Sequence, residues 1–486
     1  MVERTIKDHL ELDWHGAELR RHFHSDVGGR VRYQRLAGVL REAIGQGELP
    51  AGSRLPPERN LARSLGVSRT TVVAAYDLLK QEGLLRGRQG SGTFVDGLLS
   101  VSSGSPVQRA VEQARPGVVD FSMATAEASP LVARALEEVA RHPGRSIEGP
   151  GYLPGGLPAL RRQVAAHLLA RGIPTSEDQV IVTSGAQQAI SLVAALYVRP
   201  GEPVVIESPT FPGALDAFRA AGARLVPLEV DGGPVAADAV RDAITRTGAR
   251  LAYLIATHQN PTSSTMSEPE RRRLARVARH LQVPIVDDAT LAELALDAEP
   301  PPPVASFDPG APLLTVGSAS KVFWGGLRVG WIRAPADVIL CLAQLKATSD
   351  LGSSLLSQHA TVELLRRADE ARAARRRQLA PRRDTLESLL SSHLPSWTWQ
   401  HAGGGLSMWV RLPFGDAGEL AGVARSHGVA FAPGPAFTVG DAGRDRLRLV
   451  FSLPPSQLEL GVRRLAEAWT AYQVGARPVS TRHAIV

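Results

Sequence analysis

The sequence predicts two folded parts. The first is a small α+β helix-turn-helix module with a wing, and the second is a large α/β domain with a mainly parallel sheet and a smaller C-terminal α+β subdomain. The chain has 486 residues, too many for one ordinary domain. Helical patterns with glycine corners come first, before Val95. From Val118 onward, β-branched runs alternate with amphipathic helices, which is typical of a sheet covered on both faces.

The composition is that of a globular protein and limits the chemistry. Hydrophobic residues make up 44% of the chain and charged residues 21%. There is no signal-peptide pattern and no apolar run long enough to span a bilayer, so we expect a cytoplasmic protein without a membrane partner. Cys341 is the only cysteine, which excludes internal disulfides and cysteine-based metal sites. We predict no metal site.

The positive charge is concentrated near the N-terminus. The whole chain carries a formal charge of +7, and the segment from Arg20 to Val95 holds 13 basic and 6 acidic residues, a balance that is also +7. A basic module attached to a neutral remainder indicates a polyanionic partner.

The N-terminal module is predicted at 31–96, after an arm at 1–30. A first helix has Leu36, Leu40 and Ile44 on one face. A second short helix follows Pro57 and ends at the Gly66 corner. Ser68 is a suitable N-cap for a third helix.

The third helix begins with residues that suit the major groove. Arg69 is able to contact guanine edges, and Thr70 and Thr71 suit phosphates or a thymine methyl group. Two short strands around a glycine-rich tip then predict a wing. We expect DNA contacts from Arg59, Ser68, Arg69, Thr70, Thr71, Arg86, Arg88 and Gly90.

This module resembles the GntR-type winged helix. The resemblance depends on Leu55-Pro-Pro-Glu-Arg59, Leu65-Gly-Val-Ser-Arg69-Thr-Thr-Val72, Glu82-Gly83 and Gly90-Ser-Gly-Thr93. One departure is Pro57, where the family often has Ser. The alternative is a winged helix used only for protein contact, which the basic face does not favour.

A linker at 97–117 joins the module to the large domain, predicted at 118–475 with a tail at 476–486. Strands are predicted at 179–183, 203–206, 250–255 and 283–287. Ligands of such sheets bind at the carboxyl ends of the strands.

The segment from Thr315 to Gly330 contains a lysine in a basic-residue background that is almost entirely arginine. The chain has only four lysines: Lys7, Lys80, Lys321 and Lys346. An amine is able to lose its proton and attack a carbonyl, whereas a guanidinium is not. Ser318 and Ser320 place hydroxyls beside Lys321, and Arg328 suits a phosphate. These residues predict a site for a phosphorylated aldehyde.

Ser318-Ala-Ser-Lys321 with the following Gly-Leu-Arg328 resembles the Schiff-base segment of fold-type I enzymes that use pyridoxal 5'-phosphate (PLP), the aspartate aminotransferase group. Thr183-Ser-Gly-Ala-Gln187, Asn260-Pro-Thr262 and Pro284-Ile-Val-Asp-Asp288 match further motifs in the family's order. The resemblance implies PLP on Lys321. It also implies cofactor contacts from Tyr152, Ala186, Gln187, Phe211, Asn260, Asp288, Ser318, Ser320 and Arg328, with Arg448 binding a ligand carboxylate.

Each motif also has an ordinary structural interpretation when it is taken alone. Lys321 could lie on a surface loop, Phe211 in the core, and Arg448 in an ion pair. Strand alternation should point only one of Asp287 and Asp288 toward the pyridine, and we favour Asp288. The family's enzymes usually have a Tyr shortly after this Asp, whereas this chain continues with Ala289-Thr-Leu291.

A winged helix fused to such a domain resembles the MocR/GabR group of bacterial transcription regulators. This resemblance implies a homodimer that binds operator DNA and has PLP, or PLP with an amine, as effector, with Tyr152 reaching the partner's cofactor. The alternative is an active aminotransferase that carries a DNA-binding domain, which the missing Tyr disfavours. The operator, the effector and the sign of regulation stay open. An arginine-rich run at 366–383 is interpreted as a solvated helix face, with a second DNA surface as its alternative.

Overall fold

The computed structural model describes residues 29–45, 49, 53–81, 84–88, 92–95, 117–142, 144, 149–230, 233–440 and 442–476. Almost all of the predicted arm, linker and tail therefore lies outside the described residues, whereas Gly29 and Arg30 begin the first helix and Ala476 ends the last one. The chain divides into two compact units, and the helices and strands before Val95 belong to the first.

The N-terminal module has three helices and a two-stranded wing: α1 (Gly29–Gly45), α2 (Glu58–Leu65), α3 (Arg69–Gln81), β1 (Leu85–Arg88) and β2 (Gly92–Val95). Leu36, Leu40, Val72 and Leu79 are buried in its core. Gly66 ends α2 with φ +66°, a left-handed conformation that favours glycine and makes the corner before α3. The winged helix-turn-helix predicted from the sequence is confirmed.

The large domain is built on a seven-stranded sheet in the order β4-β10-β9-β8-β7-β5-β6. The pairings of β5 with β7, β7 with β8 and β8 with β9 are parallel, whereas β10 is antiparallel to both of its neighbours. The strands are β4 (Val180–Thr183), β5 (Pro203–Ser208), β6 (Arg224–Glu229), β7 (Leu251–Leu254), β8 (Ile285–Asp288), β9 (Leu313–Ser318) and β10 (Gly330–Arg333). A two-residue strand, β3 (Val119–Asp120), precedes them.

The sequence forms these central strands because most of their residues are apolar, on both faces of the sheet. Every residue of β4, β7, β8, β9 and β10 is buried. The accompanying helices are α4 (Pro130–Arg141), α5 (Pro158–Ala170), α6 (Ala186–Tyr197), α7 (Pro212–Ala220), α8 (Ala237–Thr247), α9 (Glu268–Leu281), α10 (Ala336–Ser349) and α11 (Leu355–Leu365).

A smaller C-terminal subdomain follows the sheet. Its four strands have the order β11-β12-β15-β14, with β11 (Thr398–Trp399), β12 (Ser407–Arg411), β14 (Ala432–Pro433) and β15 (Arg446–Val450). Strand β13 (Val429–Ala430) instead pairs in parallel with β3. The helices are α12 (Ala368–His393), α13 (Ala417–Ser426) and α14 (Pro455–Ala476). The predicted α/β domain with a smaller α+β subdomain is confirmed.

Helix α12 carries the arginine-rich run, and several of its arginines have partners within the domain. Arg375 is buried and donates to the carbonyl groups of Val322 and Phe323. Arg383 is buried too and donates to Asp297 at 2.8 Å. These two side chains hold the helix against the domain, so the interpretation of the whole run as a solvated face was wrong at these positions.

No helix among the described residues is both long and apolar enough to cross a membrane. The same part of the chain contains no group of three or more His, Cys, Asp or Glu side chains arranged to hold a metal ion.

Candidate functional site

Lys321 lies in the turn after β9. Its Nζ donates to the carbonyl oxygen of Ala124 at 2.7 Å. Burial of the amine and the positive charge of Arg448 lower the pKa of Lys321 to about 8, although the Asp288 carboxylate acts in the opposite direction. The neutral form, which an attack on a carbonyl requires, is therefore more populated near neutral pH than in an ordinary exposed lysine, although the protonated form still predominates.

The two neighbouring carboxylates at the end of β8 have different surroundings. Asp288 accepts a hydrogen bond from the phenol of Tyr253 at 2.6 Å and another from the backbone of Thr290 at 3.0 Å. Asp287 accepts from the backbone N–H of Ala256, and its pKa is raised by burial although Arg271 opposes this. Of the two carboxylates, only Asp288 is among the charges that act on the pKa of Lys321.

Arg448 on β15 and Asn260 after β7 are brought together. Arg448 Nη1 donates to Asn260 Oδ1 at 2.9 Å, and its Nη2 donates to the carbonyl oxygen of Ser122. Burial lowers the pKa of Arg448 to about 10, and its Nε has no partner among the described residues. A buried guanidinium with an unused donor is able to accept a carboxylate ligand.

The side chain of Arg328 contacts the turn that precedes the N-terminus of α6. It donates to the carbonyl oxygen of Ser184 at 2.6 Å, and it approaches Gly185 so closely that a Cβ there would lie 2.8 Å from its guanidinium. The backbone N–H groups of Ala186 and Gln187 belong to the first turn of α6 and lack intrahelical acceptors. Helix N–H groups and a guanidinium together suit a phosphate.

Two serines lie beside this end of the site. Ser318 ends β9, and its Oγ accepts from the backbone N–H of Ser320 at 3.2 Å. Ser320 immediately precedes Lys321 and is only partly buried.

Phe211 and Gln187 meet at Gly213. Gln187 Nε2 donates to the carbonyl oxygen of Gly213 at 2.7 Å, and a Cβ at Gly213 would lie 2.6 Å from the Phe211 ring. Phe211 is only partly buried, so part of its side chain is still accessible to a ligand. Tyr152 stands apart from these contacts, with 65% of its surface exposed.

Sequence reasoning missed Tyr253, which supplies a phenol to Asp288 from the adjacent strand β7. Nothing in the local pattern distinguishes it from an ordinary apolar strand residue, because its role depends on the pairing of Tyr253 with Val286. Glu207 was also missed. It lies at the end of β5, and burial raises its pKa to about 8.

A third group that was missed supports the start of α6. The fully buried Lys346 donates to Asp350 Oδ1 at 2.7 Å, and Gln188 Nε2 donates to Asp350 Oδ2 at 2.7 Å. Gln188 Oε1 in turn accepts from the backbone N–H of Ser184 at 2.7 Å. The rarity of lysine in this chain was the one signal that could have singled out Lys346.

The predicted DNA-contacting residues of the N-terminal module are displayed on its surface. Arg59, Ser68, Arg69 and Thr70 are exposed, and Ser68 Oγ accepts from the Thr71 backbone N–H at 3.1 Å, which makes Ser68 the cap of α3. Arg69 lies 3.9 Å from Glu58.

In the wing, Arg86 is exposed on β1. Arg88 ends that strand, but its side chain is not among the described parts of the structure, and Gly90 lies outside the described residues.

These features define the class of protein: a winged helix-turn-helix module joined to a domain of the aminotransferase type. Residues 32–95 match the family model of bacterial regulatory proteins of the gntR family, and residues 123–465 match that of class I and II aminotransferases. The chain belongs to the class I and II aminotransferase family and carries a GntR-type DNA-binding domain. This combination makes it a MocR-type transcription regulator.

Relatives named as regulators match most of the chain. YisV of Bacillus subtilis strain 168, an uncharacterized HTH-type transcriptional regulator, is 31% identical over 407 residues, which are 78% of this chain and 83% of the relative. The probable rhizopine catabolism regulatory protein MocR of Rhizobium meliloti is 30% identical over 430 residues, 82% of this chain and 86% of the relative.

Enzymes match the large domain. Aromatic-amino-acid aminotransferase 1 of Thermococcus litoralis is 30% identical over 323 residues, 64% of this chain and 78% of the relative. Among solved structures, LysN of Thermus thermophilus is similar with a TM-score of 0.70 and 28% identity, covering 76% of this chain and 96% of that one. LysN is an α-aminoadipate aminotransferase, solved in complex with N-(5'-phosphopyridoxyl)-L-leucine.

Proposed function

We propose that this regulator binds PLP covalently through Lys321 and that the occupancy of this site controls operator binding by the winged helix. The observation that supports the proposal most strongly is the environment of Lys321. Its amine has a lowered pKa and is influenced by the buried Arg448, by Arg328 and by the Asp288 carboxylate.

The donor set fits PLP at each end of the molecule. A phosphate would bind the N–H groups of Ala186 and Gln187 together with Arg328, Ser318 and Ser320. Asp288 would pair with the pyridine nitrogen, and Asn260 would face the ring hydroxyl. Phe211 would stack on the ring. The similar structure of LysN holds a phosphopyridoxyl compound, which supports the assignment by family.

PLP supplies an aldehyde for an amine and a ring able to withdraw electrons. The protein's own residues prepare this site. The Tyr253 phenol orients Asp288 by a hydrogen bond of 2.6 Å. Arg448, with its unused Nε, is placed to bind the carboxylate of an incoming amino compound. We therefore propose a carboxylate-bearing amine as the class of effector beyond PLP.

The proposed assembly is a cytoplasmic homodimer on double-stranded DNA. Tyr152 is 65% exposed in the single chain, which is compatible with a role at the partner's cofactor. Two copies of α3 would then contact two half-sites of the operator. The proposed domains are 31–96 for DNA binding and 118–475 for cofactor binding and dimerisation.

The test is the affinity of the purified protein for DNA upstream of its own gene, measured without and with PLP at fixed salt. We expect PLP to change the affinity of the wild type but not of Lys321→Ala, with mass spectrometry after borohydride reduction showing the adduct on Lys321 alone. Specific DNA binding that ignores PLP in both proteins would contradict control by the cofactor. An adduct on another lysine would contradict the role of Lys321.

A second candidate is an active aminotransferase with a DNA-binding domain, because enzymes such as the one from Thermococcus litoralis match the same domain. The segment after Asp288 lacks the phenol usual in the enzymes, although Tyr253 brings one to Asp288 from β7. Steady conversion of an amino acid with a keto acid, lost in Lys321→Ala, would establish this activity.

A further inference from the structure

A second pocket lies on the other face of the central sheet from Asp288. It is lined by Asp287, by residues of β9 and β10, and by the segments at 168–173 and 300–303. The space inside it that a water-sized molecule can occupy is about 30 Å3. Of the residues assigned to PLP, it shares only Ser318 with the site described above.

Three hydrogen-bonding groups of this pocket are buried without a partner. They are Thr290 Oγ1, Thr315 Oγ1 and Trp331 Nε1, and none of them has an acceptor or donor within the described part of the chain. A buried polar group without a partner costs about 1–3 kcal/mol, so three of them around one space favour the binding of a polar molecule there. The indole N–H only donates, which requires an acceptor atom in that occupant.

Trp331 is held in this place by its neighbour on β9. Trp331 pairs with Gly317, and a Cβ at Gly317 would lie 2.2 Å from Trp331 Nε1. Only glycine leaves room for the indole to lie across the strand. The position of the N–H is therefore fixed by the backbone of two paired strands.

The two arginines that line the pocket differ in the number of hydrogen bonds that they make to the protein. The Arg171 side chain lines the pocket, its charge acts on Glu293, and it has no hydrogen bond to another residue in the described part of the chain. By contrast, the guanidinium of Arg271 is bound to backbone carbonyls and to Thr257. Arg171 is therefore the cation with donors left for a ligand.

The two carboxylates in the lining are already engaged with the protein. Glu293 is bonded to His167 at 2.8 Å, and the charges of His167 and Arg171 help to lower the pKa of Glu293 to about 2, although burial acts in the opposite direction. Asp287 accepts from the backbone N–H of Ala256. The donors without partners therefore favour an anionic ligand with acceptor oxygens.

We propose that this pocket is a second ligand site that binds a small organic acid through its carboxylate. Arg171 neutralises the charge, while the hydroxyls of Thr290 and Thr315 and the indole N–H of Trp331 donate to the oxygens. The site is connected to the cofactor side because the backbone N–H of Thr290 donates to Asp288 at 3.0 Å. An acid bound behind the sheet would thus act on Asp288 through Thr290.

The experiment titrates the full-length protein with formate and with acetate, at ionic strength matched with chloride, by calorimetry and by thermal unfolding. We expect saturable binding by at least one acid, weakened roughly tenfold or more in Thr290→Val and in Arg171→Gln because each loses one charge-assisted contact. Matched controls are Thr245→Val and Arg377→Gln, both exposed, which should bind as the wild type does.

Three outcomes would overturn the proposal. If neither acid showed saturable binding to the protein, the pocket would hold only water. Equal binding by the wild type, Thr290→Val and Arg171→Gln would place the acid elsewhere. Binding lost in Arg448→Lys but kept in Thr290→Val would assign the acid to the cofactor side. Binding retained in Lys321→Ala and lost in Thr290→Val would support the second site independently of PLP.

Discussion

At the scale of single residues, the protonation of Lys321 is set by groups that come from distant parts of the chain. Burial and Arg448 lower its pKa to about 8, and Asp288 raises it. Arg448 reaches the site from β15 and also holds Asn260 at 2.9 Å. Because only the neutral amine attacks an aldehyde, these neighbours would determine how readily the proposed site takes up PLP at a given pH.

We expect the rate of PLP attachment to rise with pH and to level off above about pH 8, because the neutral fraction of Lys321 increases up to its pKa. Removing a positive neighbour in Arg448→Gln favours the protonated amine and should move the profile to higher pH. Removing a negative neighbour in Asp288→Asn should move it to lower pH. Stopped-flow absorbance measures the rates, and shifts in the same direction for both variants would contradict this account.

At the scale of elements, a chain of hydrogen bonds connects α10 to the start of α6. Lys346 is fully buried, and its ammonium reaches Ser184 through Asp350 and Gln188 by three hydrogen bonds, each of 2.7 Å. The turn at Ser184 and Gly185 is where Arg328 and the helix N–H groups meet. The buried lysine is therefore a positioning residue for the proposed phosphate site.

Lys346→Met keeps the length of the side chain but removes the ion pair. We expect a loss of about 1–3 kcal/mol in the free energy of unfolding, since Asp350 loses a charged partner. PLP affinity should fall in addition, and the double variant Lys346→Met, Asp350→Asn should recover part of the stability. Urea unfolding and a PLP titration measure the two effects. PLP affinity unchanged in a folded Lys346→Met protein would show that the turn needs no support from α10.

Much at this scale could be predicted from the sequence. Apolar runs and glycine corners identified the wing, the recognition helix and four of the central strands, because local patterns determine local structure. The strand at 283–287 was predicted two residues early, and it begins at Ile285. The second pocket could not be predicted. Its groups, Arg171, Thr290, Thr315 and Trp331, are ordinary residues until the strands pair.

At the scale of the whole molecule, the arginines of the N-terminal module and those of the large domain have different surroundings. The excess of basic residues lies before Val95, and Arg59 and Arg69 are exposed in that module. The arginines of α12 are more closely spaced along the sequence, but Arg375 and Arg383 are bonded to groups of the large domain itself. The density of arginine along a sequence therefore does not by itself locate a nucleic-acid surface.

We expect the salt dependence of DNA affinity to depend on the winged helix. Arg69→Ala should cost about 1–3 kcal/mol in specific binding. In a second variant, Arg366, Arg367 and Arg377 are all changed to Gln. These arginines lie on α12 or just before it, outside the winged helix, so we expect them to contact no phosphate and the slope of log affinity against log salt to stay the same. Lys80→Ala, at the far end of α3, is the matched control. A smaller slope in the triple variant would establish a second DNA surface on the large domain.

The scarcity of lysine gives the protein a chemical selectivity toward aldehydes. PLP in solution condenses with any accessible amine, and most protein surfaces offer many. Of the lysines that the structure describes, Lys80 is bonded to Asp77 and has a side chain 35% exposed, while Lys346 is fully buried. Arginine supplies the positive charge without competing for the aldehyde. The background of nonspecific adducts on lysine should thus be low in the part of the chain that the structure describes.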